Sequence, residues 1–384
     1  VLEGGDSAPE GTLTGTVNIL GSGPIAPELD ATWIEFADDD SLWVAGWRGA
    51  GSFAGRLSLG GSGTYLELFG GDAMIGPRHS PSFAVSADGS RAAAAYESGS
   101  EAPEIVLWEG GERRALTSLN AEVAPKLANL DWRTYRWDSF DGLEVEGLLA
   151  LPRGAAPEPL PLVVFVHGGP TASWPWMYAP AYGFPQVFAS AGYATLFPNV
   201  RGSVGRGNEF AEANLGDMGG GDLQDILTGI DALVRDGLVD DKRVAISGGS
   251  YGGFMSCWAV TQTDRFAAAI PFAVVTNWIS FHSTTNIGQF DKLFLQADPY
   301  DAEGDYVRRS PVYHASKCRT PTLIIHGEDD LCTPLPQAVE FYNALVEAGC
   351  ETELVVYPRE GHGWTEREHV IDSFNRMRDW LARH

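Results

Sequence analysis

The chain is short of cations. Its 384 residues carry 26 Lys and Arg against 51 Asp and Glu, a formal net charge of −25. A protein that holds nucleic acid must neutralise phosphates, so this balance excludes nucleic acid as a partner. Cysteine is scarce as well: Cys257, Cys318, Cys332 and Cys350 are the four, and no two form a CxxC pair. That spacing supplies neither a zinc site nor a disulfide framework, and it fits a reducing compartment. Cys318 and Cys332 are near enough in sequence to pair if oxidised. No run of about 18 apolar residues offers a membrane span, and no signal-peptide pattern opens the chain. The first residue is Val rather than Met, so the start is read as processed or trimmed. The cytoplasm is the expected location, with secretion left open. The acid excess is read first as an aid to solubility, and the sharper alternative is attraction of cationic substrates such as peptides with free amino ends.

What is present divides the chain in two. Residues 1–125 are rich in Gly, Ser and Asp and show short strand-like stretches without a clear helix. Residues 33–45 read as a strand, an acidic turn and a second strand, and the same pattern returns in residues 82–94, about 50 residues on. Each copy is followed by another strand pair, at residues 55–59 and 65–69 and again at 104–108 and 113–117. Four short strands per repeat is the pattern of a β-propeller blade, and about two blades are present. Two blades do not close a propeller. Further blades come from a separate N-terminal chain or segment, or these strands pack against the second half. A simple β-sandwich appendage is the plainer alternative.

Residues 120–160 read as a hinge with one alternating strand at 143–150 and a Pro- and Ala-rich loop at 152–161. From residue 126 to 384 the expectation is an α/β domain. Apolar strands at residues 162–166, 193–197, 243–247, 266–270, 321–325 and 353–357 alternate with helical stretches at 222–235, 336–348 and 370–384. Continuous apolar strands separated by helices predict a mostly parallel, doubly wound sheet covered on both faces. Its active groups belong on loops at the carboxyl ends of strands.

The chemistry centres on Gly248-Gly249-Ser250-Tyr251-Gly252-Gly253, which follows the strand at 243–247 and precedes a helical run at 254–260. A serine in a Gly-X-Ser-X-Gly turn between strand and helix is lifted above the sheet as a nucleophile. A serine needs a base, usually His, oriented by a carboxylate, and on such sheets the chain order is Ser, Asp or Glu, His. The strand at 321–325 runs into His326-Gly327-Glu328-Asp329-Asp330, and the strand at 353–357 runs into a loop containing Gly361-His362-Gly363. His362 is the expected base. Spacing alone leaves Glu328, Asp329 and Asp330 open as the third member. The N–H of Tyr251, after the nucleophile, and the turn His167-Gly168-Gly169-Pro170 are the expected donors to an oxyanion. Trp278, Phe281 and Phe290 either line an apolar pocket or belong to the core.

These blocks, together with Asn199-Val200-Arg201-Gly202-Ser203-Val204-Gly205, occur in an order that resembles the prolyl oligopeptidase family of serine peptidases, most closely its acylaminoacyl-peptidase-like and dipeptidyl-aminopeptidase-like branch. The resemblance spans about residues 130–384, with the blade repeat similar to the end of the family's propeller. It implies the α/β-hydrolase fold, with Ser250 as nucleophile, His362 as base, Asp330 as the carboxylate, and the N–H groups of Gly169 and Tyr251 as oxyanion hole. Where the family usually has Arg and Val, this chain has Leu331-Cys332-Thr333. The short N-terminal part departs from the family's whole propeller, and the chain reads as the C-terminal part of such a protein. The implied substrates are short peptides or acyl-amino acids, with small-molecule esters or amides as the alternative. No metal and no cofactor are expected, and a homo-oligomer is left open. Activity is expected to fall below pH about 6.5 as the imidazole protonates.

Overall fold

The computed structural model describes residues 30–59, 65–76, 81–127, 130–154, 158–178 and 185–384. Residues 1–29 of the expected N-terminal half and 155–157 of the Pro- and Ala-rich loop lie outside them.

The N-terminal half forms two antiparallel sheets. The first takes β1 (Asp30–Asp38), β2 (Ser41–Arg48), β3 (Gly51–Ser58) and β4 (Tyr65–Gly71) in sequence order. The second is built from β5 (Met74–Ile75), β6 (Ala84–Val85), β7 (Arg91–Glu97), β8 (Glu104–Glu109) and β9 (Glu112–Ala115), with β7 as its hub. The two copies of the sequence repeat thus become two blade-like sheets. Their facing surfaces share one small core that includes Ala45, Ala54, Ile75, Phe83 and Ala92.

The C-terminal half is an eight-stranded sheet of order β10-β11-β13-β12-β14-β15-β16-β17. The strands are β10 (Leu130–Asp138), β11 (Glu144–Pro152), β12 (Leu160–Val166), β13 (Ala194–Asn199), β14 (Val239–Gly249), β15 (Ala268–Phe272), β16 (Thr322–Gly327) and β17 (Thr352–Tyr357). From β13 to β17 every pairing is parallel, while β10 and β11 join antiparallel. This is the α/β-hydrolase arrangement. The region read as a hinge therefore supplies two paired strands. β10 escaped the sequence reading because it is an edge strand with only Leu130 and Trp137 buried, so its sequence stays polar.

Side-chain alternation explains why the central strands are mostly apolar on both faces. On β12, Leu162, Val164 and Val166 enter one core and Val163 and Phe165 the other. The first core is closed by the helices Gly221–Arg235, Tyr251–Gln262 and Pro336–Glu347, through residues such as Ile226, Phe254 and Phe341. The second is closed by the helix Arg367–Arg383 through Met377, Trp380 and Leu381. With successive side chains facing opposite cores, these strands stay mostly apolar, and buried polar exceptions such as Ser247 are hydrogen-bonded, here to Ile270 O at 2.7 Å.

The blade-like sheets lie against the hydrolase sheet. The tip between β2 and β3 is pinned by three hydrogen bonds: Gly49 N–H to Gly205 O (2.6 Å), Ala50 N–H to the buried Glu146 carboxylate (2.9 Å), and Trp176 N–H to Ala50 O (2.8 Å). Among the described residues no helix is long and apolar enough to cross a membrane.

The cysteine pairing differs from expectation. Cys318 lies beside Cys350, Sγ to Sγ 3.7 Å, rather than beside Cys332, and all four thiols are free. Strand direction is the reason. Cys318 and Cys350 precede the parallel neighbours β16 and β17, whereas Cys332 follows β16 at its opposite end.

Candidate active site

Ser250 sits between β14 and the helix Tyr251–Gln262 with φ 60° and ψ −121°. A non-glycine residue in that region is strained and persists only when its surroundings over-determine it. Here the Ser250 N–H reaches Phe272 O and Ala273 O, each at 3.2 Å, and its carbonyl accepts from Phe254 N–H at 2.9 Å. The adjoining glycines let the turn sink into the sheet. A Cβ on Gly252 would stand 2.2 Å from Val166 O, and one on Gly249 would stand 2.1 Å from the Phe272 ring.

Asp330 follows β16 and is 2 % exposed. Its Oδ1 accepts the N–H groups of Cys332 (2.8 Å) and Thr333 (2.9 Å). Its Oδ2 accepts the Thr333 hydroxyl (2.8 Å) and faces His362 Nδ1 (2.8 Å). Of the three carboxylates that spacing alone leaves open, this one, which the family resemblance implies, lies against His362. Burial alone would raise the Asp330 carboxyl, but the hydrogen bonds from His362 and Thr333 hold it below the ordinary range. Thr333 stands where the family pattern departs, and its hydroxyl adds a donor to the carboxylate. His326 supports the same loop from beneath. It is fully buried, and its Nε2 donates to Thr333 O at 2.6 Å. Burial pushes its pKa down, so it serves as a neutral donor.

Burial would also lower the His362 imidazole, but the hydrogen bond to Asp330 and the neighbouring Cys332 push it up to about 10. The pH expectation moves upward accordingly. With the folded-state pKa above the unfolded value of about 6.5, this pair contributes stability fully below pH 6.5 and loses it as pH rises through about 10. The acid limb of kcat/KM, which reports the free base, is expected to have its midpoint above 6.5. A pH–rate profile checks this, and a midpoint at or below 6.5 would contradict the pairing.

The loop after β12 covers the serine. A Cβ on Gly168 would lie 3.4 Å from Ser250 Cβ, and Gly169 has φ +124°. The His167 ring bonds to Ser203 Oγ through Nε2 (2.8 Å). Two residues before Ser203, Arg201 joins a largely buried network. Arg201 donates to Asp225 (2.8 Å) and Asp141 (2.9 Å), and Ser139 Oγ donates to Asp225 (2.6 Å). Tyr251, the first residue of its helix, donates its hydroxyl to buried Asp222 at 2.6 Å. Burial raises Asp222 to about 6.

Ser250 and His362 open on one cavity of about 430 Å³. His167, Gly168, Gly169 and Trp174 line it from the hydrolase side, and Asp30, Thr32 and Trp47 from the first blade-like sheet. Asp30 accepts a hydrogen bond from Gly205 N–H, and burial raises its carboxyl above the ordinary range. Trp278, Phe281 and Phe290 lie away from this cavity. Trp278 and Phe281 are 1 % and 0 % exposed in the first core, Phe290 packs against that core, and none of the three lines this cavity. Trp278 packs edge-on against Phe281 and Phe281 against Phe290, and Trp278 meets Phe254 of the helix Tyr251–Gln262 at a tilt.

The sequence reading did not single out Asp222, Asp225, Thr333 or Asp30. An acidic residue in the first turn of a helix, as Asp222 is, is ordinary helix chemistry, and only the fold shows what it bonds. Among the described residues one group, Glu360, Glu366 and His369, brings three metal-ligand atoms within 4.8 Å of one another. Its buried member, Glu360, already spends both carboxylate oxygens on Thr365, Glu366 and His369.

Comparison with known proteins agrees with this architecture. The profile of the prolyl oligopeptidase family matches residues 183–384. Among curated proteins, the uncharacterized peptidase YuxL of Bacillus subtilis (strain 168) is 37 % identical over 281 residues, covering 72 % of this chain and 42 % of its own. Acylamino-acid-releasing enzyme 1 of Oryza sativa subsp. japonica is 32 % identical over 235 residues, covering 58 % of this chain and 30 % of its own. The chain thus spans less than half the length of these relatives. Among solved structures, the acylaminoacyl peptidase of Pyrococcus horikoshii superposes with a TM-score of 0.80 at 29 % identity, over 92 % of this chain and 56 % of that one. An acylaminoacyl peptidase in complex with Z-Gly-Gly-Phe-chloromethyl ketone gives a TM-score of 0.80 at 28 % identity, with the same coverage. The superposition takes in the blade-like sheets as well as the hydrolase sheet, and with more than half the chain matched by the profile, this protein belongs to the prolyl oligopeptidase family.

Proposed function

We propose that the protein is a serine peptidase that cleaves short peptides or acyl- and aminoacyl-amides through an acyl-enzyme. The observation that carries the reading is the shared cavity of Ser250 and His362, with His362 Nδ1 held 2.8 Å from buried Asp330. Ser250 Oγ attacks the amide carbonyl while His362 Nε2 takes its proton. Asp330 holds the Nδ1–H tautomer and stabilises the imidazolium. The oxyanion is received by the N–H groups of Gly169 and Tyr251. As the first residue of its helix, Tyr251 has an N–H with no acceptor inside that helix. His362 then protonates the leaving amine, and water attacks the acyl-enzyme by the reverse route.

Substrate choice is assigned to the rim that the first blade-like sheet contributes. Asp30 is the one carboxylate among the described residues lining the cavity, in a chain of net charge −25. Its charge complements a free α-amino group. Steady-state kinetics on matched aminoacyl anilides, N-acyl-aminoacyl anilides and simple aryl esters test the reading. Anilide turnover is expected, with Asp30→Asn raising KM about 10-fold for the free-amino series and leaving the acyl series within about two-fold, as for loss of one charge-assisted contact. Hydrolysis of esters with no turnover of any anilide would place the protein with the esterases instead.

A further inference from the structure

We propose that Glu360 is a positioning residue for the catalytic base: its buried carboxylate folds the loop that carries His362 and sets the imidazole against Asp330. The proposal rests on the reading of His362 as base.

The residue is out of character for its place. Loop carboxylates are ordinarily solvated, yet Glu360 is 1 % exposed, two positions before His362, between β17 and the helix Arg367–Arg383. A buried charge persists only with a full set of donors. Glu360 has four. Oε2 accepts the Thr365 N–H (2.8 Å) and the Thr365 hydroxyl (3.1 Å), and Oε1 accepts the Glu366 N–H (2.8 Å) and faces His369 Nδ1 (2.8 Å). Burial would raise its carboxyl, but these donors hold it down to about 2. The side chain thus satisfies the N-terminus of the last helix, where Glu366 makes no side-chain cap of its own.

Its backbone faces the other way. Glu360 O accepts the N–H of Asp329, the residue beside Asp330, at 2.8 Å. A Cβ on Gly327 would stand 2.4 Å from that same oxygen and 2.2 Å from Gly361 O, so the two loops are in close contact. Glu360 therefore binds the last helix with its side chain and the Asp330 loop with its backbone, and His362 lies just beyond the junction. Moving that junction moves the imidazole relative to both Asp330 and Ser250, a displacement to which turnover is steeply sensitive.

A plain helix cap would cost stability and leave turnover per folded molecule unchanged. The two roles separate in the full chain by measuring kcat, KM, fluorophosphonate labelling rate and Tm for Glu360→Gln, Glu360→Asp and the control Glu366→Gln. The control removes an exposed bridge to Arg359 and keeps the Glu366 backbone donor. Glu360→Gln is expected to lower kcat and labelling rate together by about 10- to 100-fold, with KM within about two-fold. Its acid limb should move down as His362 loses register with Asp330. Glu360→Asp keeps the charge, secures the test should the Gln variant not fold, and is expected to lose about 3- to 10-fold in kcat. Glu366→Gln should stay within about two-fold. A folded Glu360→Gln or Glu360→Asp protein with wild-type kcat and labelling rate would overturn the proposal. Failure of the underlying reading is distinct: His362→Ala that still labelled at the wild-type rate would remove the base itself.

Discussion

Asp330→Asn is expected to reduce kcat by about 10⁴-fold, or about 5.4 kcal/mol of transition-state stabilisation, while leaving the fold intact. The argument follows the hydrogen bonds. Oδ1 of Asp330 takes two backbone N–H groups, from Cys332 and Thr333, and neither can be turned away. An asparagine must therefore present its carbonyl there and its NH₂ where Oδ2 now stands. The NH₂ would meet His362 Nδ1, now 2.8 Å from Oδ2, and donate to it. That forces the proton onto Nε2, and an imidazole in that tautomer cannot take the proton of Ser250. The loop survives because its two backbone donors keep an acceptor. Circular dichroism with steady-state kinetics checks the prediction. Loss of less than about ten-fold in a folded variant would argue that Asp330 is structural.

Ser250→Ala carries the largest expected loss, roughly 10⁵- to 10⁶-fold in kcat. Stability should change little. The bonds that hold the turn are made by the backbone of residue 250, to Phe272, Ala273 and Phe254, and alanine keeps both the backbone and the Cβ. The positive φ that strains serine strains alanine equally. Residual activity would come from oxyanion donors and substrate binding acting on water.

The sequence carried the serine turn, the loop histidine and the sheet clearly, because each depends on local rules. Gly252 is dictated by backbone approach and Gly249 by the Phe272 ring, and the apolar strands by two-sided burial. The choice of Asp330 over its two neighbours was not local. It depends on how the loop after β16 meets the loop after β17, through Asp329 N–H to Glu360 O and Asp330 to His362. Cys318 and Cys350 illustrate the same limit, since only strand direction brings them together. The aromatic residues Trp278 and Phe281 fit a pocket and a core equally well by composition, and only the fold shows that they are buried beside Phe254 of the helix Tyr251–Gln262. The acidic residues of the helix Gly221–Arg235 carry no motif that marks a partner. In the fold Asp222 holds Tyr251 and Asp225 holds Arg201.

The rim assigned to Asp30, Thr32 and Trp47 could not be read from either half alone. It exists because the β2–β3 tip docks at Gly205 and Glu146 and carries the start of β1 over the cavity. Substrate selection is therefore assigned to the contact between the two halves, while bond cleavage is assigned to loops of the hydrolase sheet.

The most direct test of the account is to react the purified chain with a fluorophosphonate and locate the adduct by peptide mass spectrometry. The account predicts one adduct per chain, on Ser250, absent from Ser250→Ala and strongly slowed in His362→Ala. An adduct on another residue, or labelling that persists in Ser250→Ala, would contradict it.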